Sequence, residues 1–282
     1  LMSDLHSLNE AINKKAGRKL LPSIAVSLSL LALIFLTMKY LPIAFAGVVT
    51  VAVLLSVREL TRAFKTAEFE VSLFQLSLAT TALMVSTWFG GVAGLAVATA
   101  LLLPVLYFLI LLKGITGFVK NSTAATFTLL YLGFFGGFLI LLARPHDGLL
   151  NIATLVILVG CNDTFAYIFG VLLGKHPLAE KISPKKTWEG FAGGLVFTAI
   201  GGALAFRYML EYNPIIGAAV GVLCVITATV GDLIESALKR DLLIKDMGSL
   251  LPGHGGMLDR LDSALLTAPS LWCVLELIKR FS

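Results

Sequence analysis

GVAGLAVATALLLPVLYFLILL, residues 91–112, is a run of 22 residues without a charged side chain. About 20 apolar residues are needed to cross the hydrocarbon core of a bilayer, which is roughly 30 Å thick. Because lipid offers no hydrogen bonds, the backbone of such a run must satisfy its own polar groups, and a helix does so. The stretch therefore predicts a transmembrane helix and sets the class of fold.

The same pattern recurs along the whole chain. Hydrophobic residues make up 57% and charged residues 14%, and the mean hydropathy is +0.92, whereas soluble domains carry about 25% charged residues. We predict an all-α, polytopic integral membrane bundle of about nine transmembrane helices, without a soluble domain. The predicted spans are 20–38, 41–57, 71–89, 91–112, 122–143, 149–173, 190–210, 213–234 and 261–278. Since only Phe89, Gly90 and Gly91 separate spans three and four, these two should form a tight hairpin.

The chain divides into three predicted parts. Residues 1–19 repeat apolar side chains at helical spacing and end in a basic cluster, which predicts an amphipathic segment at the membrane surface. The first apolar run is long and lacks a small-residue cleavage pattern, so we interpret it as a retained span. Residues 20–148 then hold spans one to five, joined in part by an amphipathic elbow at 58–70. Residues 149–282 hold spans six to nine and two polar loops.

The basic residues predict the orientation. With the N-terminus inside, 17 of the 22 lysines and arginines fall on the cytoplasmic side. Cytoplasmic loops carry an excess of Lys and Arg, so this orientation is favoured. We expect a bacterial-type inner (plasma) membrane, with both polar loops facing the cytoplasm.

The second polar loop, SALKRDLLIKDMGSLLPGHGGMLDRLD at Ser236–Asp262, concentrates ionisable groups. Such groups are costly near lipid and mark function. Its mixture of carboxylates and cations suits a polyphosphate held by cations and by a metal that the carboxylates hold. If span eight continues as a helix, one face carries the residues at i, i+3, i+4, i+7 and i+8. These are Asp232, Glu235, Ser236, Lys239 and Arg240.

The glycine segment of this loop precedes two acids. Gly255 and Gly256 let backbone N–H groups approach an anion, although a flexible turn between two helices is the alternative. Asp259 and Asp262 lie at i and i+3, on one face at the start of span nine. Acids that complement the helix macrodipole are the alternative, which explains one aspartate well and the second poorly.

Two further stretches carry polar groups. Lys185 and Lys186 follow a proline in the first polar loop, Gly174–Gly190, where a positive-inside loop is the alternative. Asn162 and Asp163 lie in the middle of span six, where a structural clamp between helices is the alternative. The three cysteines and four histidines lack zinc-ligand spacing, so zinc is not expected.

These motifs together resemble a known signature. Ser236-x-Leu238-Lys239-Arg240, then Lys245-Asp246-x-Gly248, then Leu251-Pro252-x-His254-Gly255-Gly256-Met257-x-Asp259-Arg260-Leu261-Asp262 resembles that of the phosphatidate cytidylyltransferases, or CDP-diacylglycerol synthases. The stretch 183–190 and the pair at 162–163 resemble secondary motifs of that family. The resemblance lies within residues 160–262, and the first five spans match only in being apolar.

The resemblance implies a nucleotidyltransferase that condenses CTP with phosphatidic acid, giving CDP-diacylglycerol and pyrophosphate for phospholipid biosynthesis. It also implies dependence on Mg²⁺, with K⁺ as a second ion, and a homodimer in the lipid bilayer. No nucleic acid partner is expected.

The residues fit this chemistry. A phosphatidate oxygen is already ionised, so its attack on the α-phosphorus needs charge suppression more than a strong base. Oxygen ligands favour Mg²⁺, for which the expected ligands are Asp232, Asp259 and Asp262. The neighbouring cations Lys239, Arg240, Lys245 and Arg260 should bind the nucleotide. Lys185 and Lys186 should bind the lipid phosphate. The expected catalytic residues are Asp259, Asp262, Lys239, Arg240 and Arg260, and the expected substrate-binding residues are Lys245, Asp246, His254, Gly255, Gly256, Ser236, Lys185, Lys186, Asn162 and Asp163.

Two alternatives stay open at this point. A CTP-dependent kinase or cytidylyltransferase acting on an isoprenoid lipid would use much the same residues. An ion-coupled transporter would use Asp163 and Asp232 as an ion path, although a transporter has little use for a cytoplasmic glycine loop.

Overall fold

The computed structural model describes residues 20–144, 146–248 and 255–281, with side chains from residue 28 onward. The predicted segment 1–19 and His254 lie outside the described residues. The described chain is a helical bundle with one small sheet, so the predicted fold class is confirmed. The elements are α1 (Leu20–Tyr40), α2 (Pro42–Thr66), α3 (Leu73–Leu111), α4 (Phe118–Thr128), a π-helical stretch (Leu129–Phe134), α5 (Phe135–Ala143), α6 (Gly148–Leu173), β1 (Pro177–Ala179), β2 (Ser183–Thr187), α7 (Trp188–Tyr208), α8 (Pro214–Asp241) and α9 (Leu258–Phe281).

Seven helices in the described part of the chain are long and apolar enough to cross a membrane. They are α2, α3, the continuous run Phe118–Ala143, α6, α7, α8 and α9. The chain is thus an integral membrane protein. The count of nine spans stays a prediction, because α3 is counted once here and α1 is described with side chains only over Leu28–Tyr40.

The long helix α3 is broken at Gly91. This residue has φ 61° and ψ −143°, which is not helical and is accessible chiefly to glycine. A Cβ added at Gly94 would collide with the carbonyl oxygen of Ser86, although eight residues of straight helix would separate the two by about 12 Å. The two halves of α3 therefore fold back against each other, as the hairpin prediction required.

Local sequence sets where several helices begin. Prolines stand in the first turn of α2 and α8, where their missing N–H has no helical partner to lose. Asn213 Oδ1 accepts from the N–H of Ile215 at 2.8 Å and so caps α8. Thr187 Oγ1 accepts from the N–H of Gly190 at 3.2 Å and caps α7. The start of α7, and with it the end of β2, is thereby fixed.

Two short stretches differ from the sequence prediction. The polar loop before α7 forms an antiparallel hairpin, in which Pro177 pairs with Thr187 and Ala179 with Ser183. Pairing satisfies backbone groups that a bare loop near the membrane would leave open. The predicted elbow at 58–70 is wrong over residues 58–66, since α2 continues to Thr66 and buries Glu59 and Leu60. Packing of α2 against α9 holds this stretch in the bundle.

The second half of the chain packs as a sequential series, α6 on α7, α7 on α8 and α8 on α9. Helix α9 also packs against α5 and α2 and so joins the two halves. At the α7–α8 crossing, a Cβ on Gly202 would collide with the carbonyl oxygen of Gly217, and one on Gly221 with that of Thr198. Small residues let membrane helices approach to backbone contact. This crossing sets the position of α8, which carries much of the site.

We expect Gly202→Ala to destabilise the protein by about 1–3 kcal/mol, because the added methyl group forces α7 and α8 apart. Gly160→Ala is the matched control, since a Cβ there meets nothing within 4 Å. Thermal unfolding of the purified protein in detergent measures the difference. Equal midpoints for the two variants would contradict the close crossing.

Candidate active site

Four helix ends meet at one end of the bundle. Helices α6 and α8 end there, α7 and α9 begin there, and the β1–β2 hairpin joins the ends of α6 and α7. Helix α8 is continuous to Asp241, so the predicted face with Asp232, Glu235 and Lys239 is confirmed. Residues from the two polar loops are therefore brought together by the fold.

Lys239 stands between two carboxylates. Its Nζ lies 2.6 Å from Oε2 of Glu235 and 2.8 Å from Oδ1 of Asp259. The side chains of Glu235 and Asp259 are 4% and 14% exposed. A buried carboxylate is costly without a partner, so the single ammonium group stabilises both acids and ties α8 to the start of α9.

The glycine segment contacts Asp259 from the other side. The N–H of Gly256 donates to Oδ2 of Asp259 at 2.7 Å. Gly255 has φ 82°, a conformation that glycine adopts readily. These backbone groups fix the carboxylate beside Lys239. The role of Gly255 and Gly256 in holding a phosphate stays a prediction.

A second carboxylate pair forms where α8 crosses α9. A Cβ at Gly231 would collide with the carbonyl oxygen of Asp262, so the helices touch at this point. The close approach brings the carboxyl groups of Asp232 and Asp262 into hydrogen-bonding range. Ser263 Oγ donates to Oδ1 of Asp232 at 2.9 Å, and Lys186 of β2 forms an ion pair with Oδ2. Lys186 therefore belongs to the carboxylate site.

A cavity of about 500 Å³ opens over these acids, and we call it the carboxylate cavity. Its ionisable lining residues are Asp163, Asp232, Asp259, Asp262, Lys185, Lys186 and Arg260. The lining thus has one more acid than base. An anionic substrate would be repelled here unless a further cation compensates, and the oxygen donors are the type that Mg²⁺ prefers.

A second cavity of about 510 Å³, the basic cavity, lies beside β2 and the end of α8. Four cations and no acid line it, together with Ser236. The cations are Lys185, Lys239, Arg240 and Lys245. Lys185 lines both cavities and Lys239 pairs with Asp259, so the two cavities form parts of one site.

The remaining predicted residues lie in different settings. Asn162 is buried and donates from Nδ2 to Oδ1 of Asp163 at 3.2 Å. Asp163 in turn lines the carboxylate cavity. Asp246 is exposed and lines neither cavity. Among the described residues, the structure thus brings together all the predicted acids and cations except Asp246.

No group of three acidic, thiol or imidazole side chains converges as metal ligands within the described ranges. Two of the acids are already engaged in ion pairs: Asp259 pairs with Lys239, and one oxygen of Asp232 pairs with Lys186. Asp232 and Asp262 nevertheless face each other. Two facing carboxylates repel unless a proton or a cation lies between them. The pair offers two oxygen donors of the type that Mg²⁺ prefers, and the magnesium site stays a prediction.

Three residues outside the predicted set contact the site. Glu235 shares Lys239 with Asp259, and Ser263 binds Asp232. The helical period of the sequence pointed to Glu235, because it lies on the same face of α8 as Asp232. Glu59 of α2 accepts hydrogen bonds from the N–H groups of Met257 and Leu258, each at 2.9 Å. Periodicity gave no signal for Glu59, because its partners lie some 200 residues away.

The fold and the site define an integral membrane protein that gathers carboxylates beside a cluster of cations, an arrangement typical of enzymes acting on phosphate esters. The sequence model of the cytidylyltransferase family matches residues 23–278, and the chain belongs to this family. The family resemblance predicted from the motifs is confirmed.

Curated relatives cover most of the chain. It is 35% identical over 277 residues to the phosphatidate cytidylyltransferase of Mycobacterium bovis, covering 94% of this chain and 90% of the relative. The enzyme of the same name from Mycobacterium leprae is 34% identical over 282 residues, with the same two coverages. That of Staphylococcus aureus is 41% identical over 150 residues, which is 52% of this chain and 57% of the relative.

We expect Lys239→Met to destabilise the protein by about 3 kcal/mol, because it leaves the buried Glu235 and the partly buried Asp259 without their cation. The double variant Glu235→Gln/Lys239→Met should recover part of the loss, with a coupling free energy of about 1–3 kcal/mol. Unfolding midpoints of the single and double variants give this coupling. Strictly additive effects would show that Lys239 and Glu235 act independently.

Proposed function

We propose that this chain transfers the cytidylyl group of CTP to phosphatidic acid, giving CDP-diacylglycerol and pyrophosphate. The observation that carries the proposal is the pair of adjoining cavities: one is lined by four acids and three bases, and in the other all the charged lining residues are cations. Relatives that match over 94% of the chain bear the name of this activity. Two anions must meet in this reaction, and the paired cavities supply the charges that such a meeting needs.

The basic cavity suits the triphosphate of CTP. Its four cations have no competing acid in the lining, and charge-assisted hydrogen bonds to phosphate are among the stronger polar contacts in proteins. Lys239 lies at the boundary, since it also pairs with Asp259. A triphosphate bound here would place its α-phosphorus toward the carboxylate cavity, with the leaving pyrophosphate among Arg240, Lys245 and Lys185.

The carboxylate cavity suits the lipid phosphate. Apolar and aromatic residues, among them Val159, Tyr167 and Phe191, share its lining with the charged groups. Tyr167 is 71% exposed on the membrane helix α6, so the lipid can reach the cavity from the bilayer. Lys186 lines this cavity and not the basic one. We therefore assign Lys186 to the lipid phosphate, in agreement with the sequence prediction. Lys185, predicted for the same phosphate, lines both cavities and is assigned here to the pyrophosphate.

The residues that would hold Mg²⁺ are Asp232 and Asp262, with Asp259 beside them. When bound, the ion supplies charge neutralisation to the phosphate oxygens. The excess of acid over base in the cavity lining supports this proposal. K⁺ as a second ion stays a prediction.

The chain's own residues promote an in-line displacement. An ionised oxygen of phosphatidic acid forms a bond to the α-phosphorus, and the bond from that phosphorus to the β-phosphate oxygen breaks. No proton has to move, because the nucleophile is already ionised. Lys186 positions the lipid phosphate, and Lys239 and Arg260 balance charge near the reacting phosphorus.

The site end of the bundle faces the cytoplasm in our proposal, with the N-terminus on the same side. The support is the distribution of lysine and arginine, together with the supply of CTP in that compartment. A bacterial-type inner membrane and a homodimer stay predictions on the same footing.

The activity is tested with the purified chain, labelled CTP and phosphatidic acid in detergent micelles. We expect CDP-diacylglycerol formation that requires Mg²⁺ and stops in excess EDTA. Full activity in excess chelator would remove the metal from the proposal. Preferred use of isoprenoid alcohols over phosphatidic acid would replace the proposed substrate.

We expect Asp259→Asn and Asp262→Asn each to lower kcat at least a hundredfold, because each removes charge from the site where the phosphates meet. Asp147→Asn is the matched control, since Asp147 is exposed and precedes α6 at the opposite end of the bundle. Steady-state assays of folded, membrane-inserted variants check this. A variant that keeps more than a tenth of the wild-type rate, a loss below about 1.4 kcal/mol, would place its residue outside the reacting centre.

A further inference from the structure

Glu59 is a buried acid in the N-terminal half of the chain, outside every motif that predicted the site. It lies near the end of α2 and is 7% exposed. Its two carboxylate oxygens accept from two successive backbone groups: the N–H of Met257 binds Oε1 and that of Leu258 binds Oε2, both at 2.9 Å. The first N–H groups of a helix have no partner within it. Glu59 therefore satisfies the start of α9 from a distant helix.

The same carboxylate is enclosed by glycines from both sides of the second polar loop. A Cβ at Gly248 would collide with Oε1 of Glu59, and one at Gly256 would lie 2.7 Å from Oε2. A side chain at either point would force the carboxylate out of this position. Glu59 thus fixes the chain at two points: Gly248, after the end of α8, and Gly256, before the start of α9.

This contact lies next to the reacting centre. Gly256, which touches Glu59, donates its N–H to Oδ2 of Asp259 at 2.7 Å. Asp259 then binds Lys239 through its other oxygen, at 2.8 Å. A continuous series of contacts joins Glu59 to Asp259 and Lys239 through two residues of backbone. Displacements of about 1 Å from residues remote from the chemistry can cost a hundredfold in rate.

We propose that Glu59 is a positioning residue for the transfer reaction: its carboxylate clamps Gly256–Leu258 so that Asp259 is held against Lys239. The effect of Glu59 on the reaction rate rests on the proposed function, whereas the clamp itself is a property of the fold. Glu59 lines neither the carboxylate cavity nor the basic cavity, so it acts through the backbone. The first half of the chain thereby contributes to a site whose recognisable motifs all lie in the second half.

The test uses Glu59→Gln in the full chain, purified in detergent. Glutamine has the same shape but sets an amide N–H₂ against one of the two backbone donors. We expect kcat to fall at least tenfold while KM for CTP changes less than threefold, because binding groups stay in place and Asp259 shifts. Hydrogen exchange of the amides at 256–258 should rise, and that of the distant segment 271–278 should not.

Two further variants separate positioning from packing. Glu59→Asp keeps both acceptor oxygens on a shorter side chain, so it should retain more activity than Glu59→Gln; a space-filling role gives the reverse order, since glutamine is the isostere. Glu70→Gln is the matched control, because Glu70 is an exposed acid just after α2, and it should behave as the wild type.

Several results would overturn the proposal. They are a wild-type kcat in Glu59→Gln, faster exchange throughout the bundle, a glutamine variant more active than the aspartate variant, or failure of both variants to accumulate as folded protein. Should the wild-type chain not use CTP and phosphatidic acid, the proposed function fails. The exchange at 256–258 would then still decide whether the clamp exists.

Discussion

Carboxylates at the end of an apolar bundle need a compensating charge, and the rest of the site follows from that need. An uncompensated buried charge costs several kcal/mol. Lys239 lies between Glu235 and Asp259, and Lys186 pairs with Asp232. These cations come from different elements than most of the acids they bind. Charge compensation therefore also holds β2, α8 and α9 together.

Such pairs form only if the helices approach closely enough. Gly231 permits backbone contact between α8 and α9 at Asp262, and Gly202 and Gly221 permit the same between α7 and α8. Association of helices in lipid depends on this kind of packing, because burial of apolar surface gives no gain between segments that are already in hydrocarbon. The glycines thus determine which polar groups meet, although none of these three bears a functional group.

The sequence predicted those features that depend on local period and composition. Apolar runs gave the helical membrane fold, and a period of 3.6 residues placed Asp232 and Lys239 on one face of a helix that proved continuous. It could not give contacts between distant segments. The pairing of Lys186 with Asp232 and of Glu59 with Leu258 depends on how α2, β2, α8 and α9 come together, and no local pattern encodes that. The β1–β2 hairpin was missed for a different reason: its strands are short and contain prolines, so they carry no strand pattern.

Glu59 also changes how the two halves of the chain are understood. Spans one to five lie within the match to the family model but carry none of the motifs that pointed to the site, which suggests an inert anchor. Yet α9 packs against both α2 and α5, and the carboxylate of Glu59 takes the N–H groups of Met257 and Leu258 at the start of α9. A carboxylate at this point also matches the positive end of the helix macrodipole. If α2 were displaced, those N–H groups would lose their partner, and Gly256 would no longer be held where it binds Asp259. The position of Asp259 is therefore a property of the whole bundle, since contacts from both halves of the chain determine it.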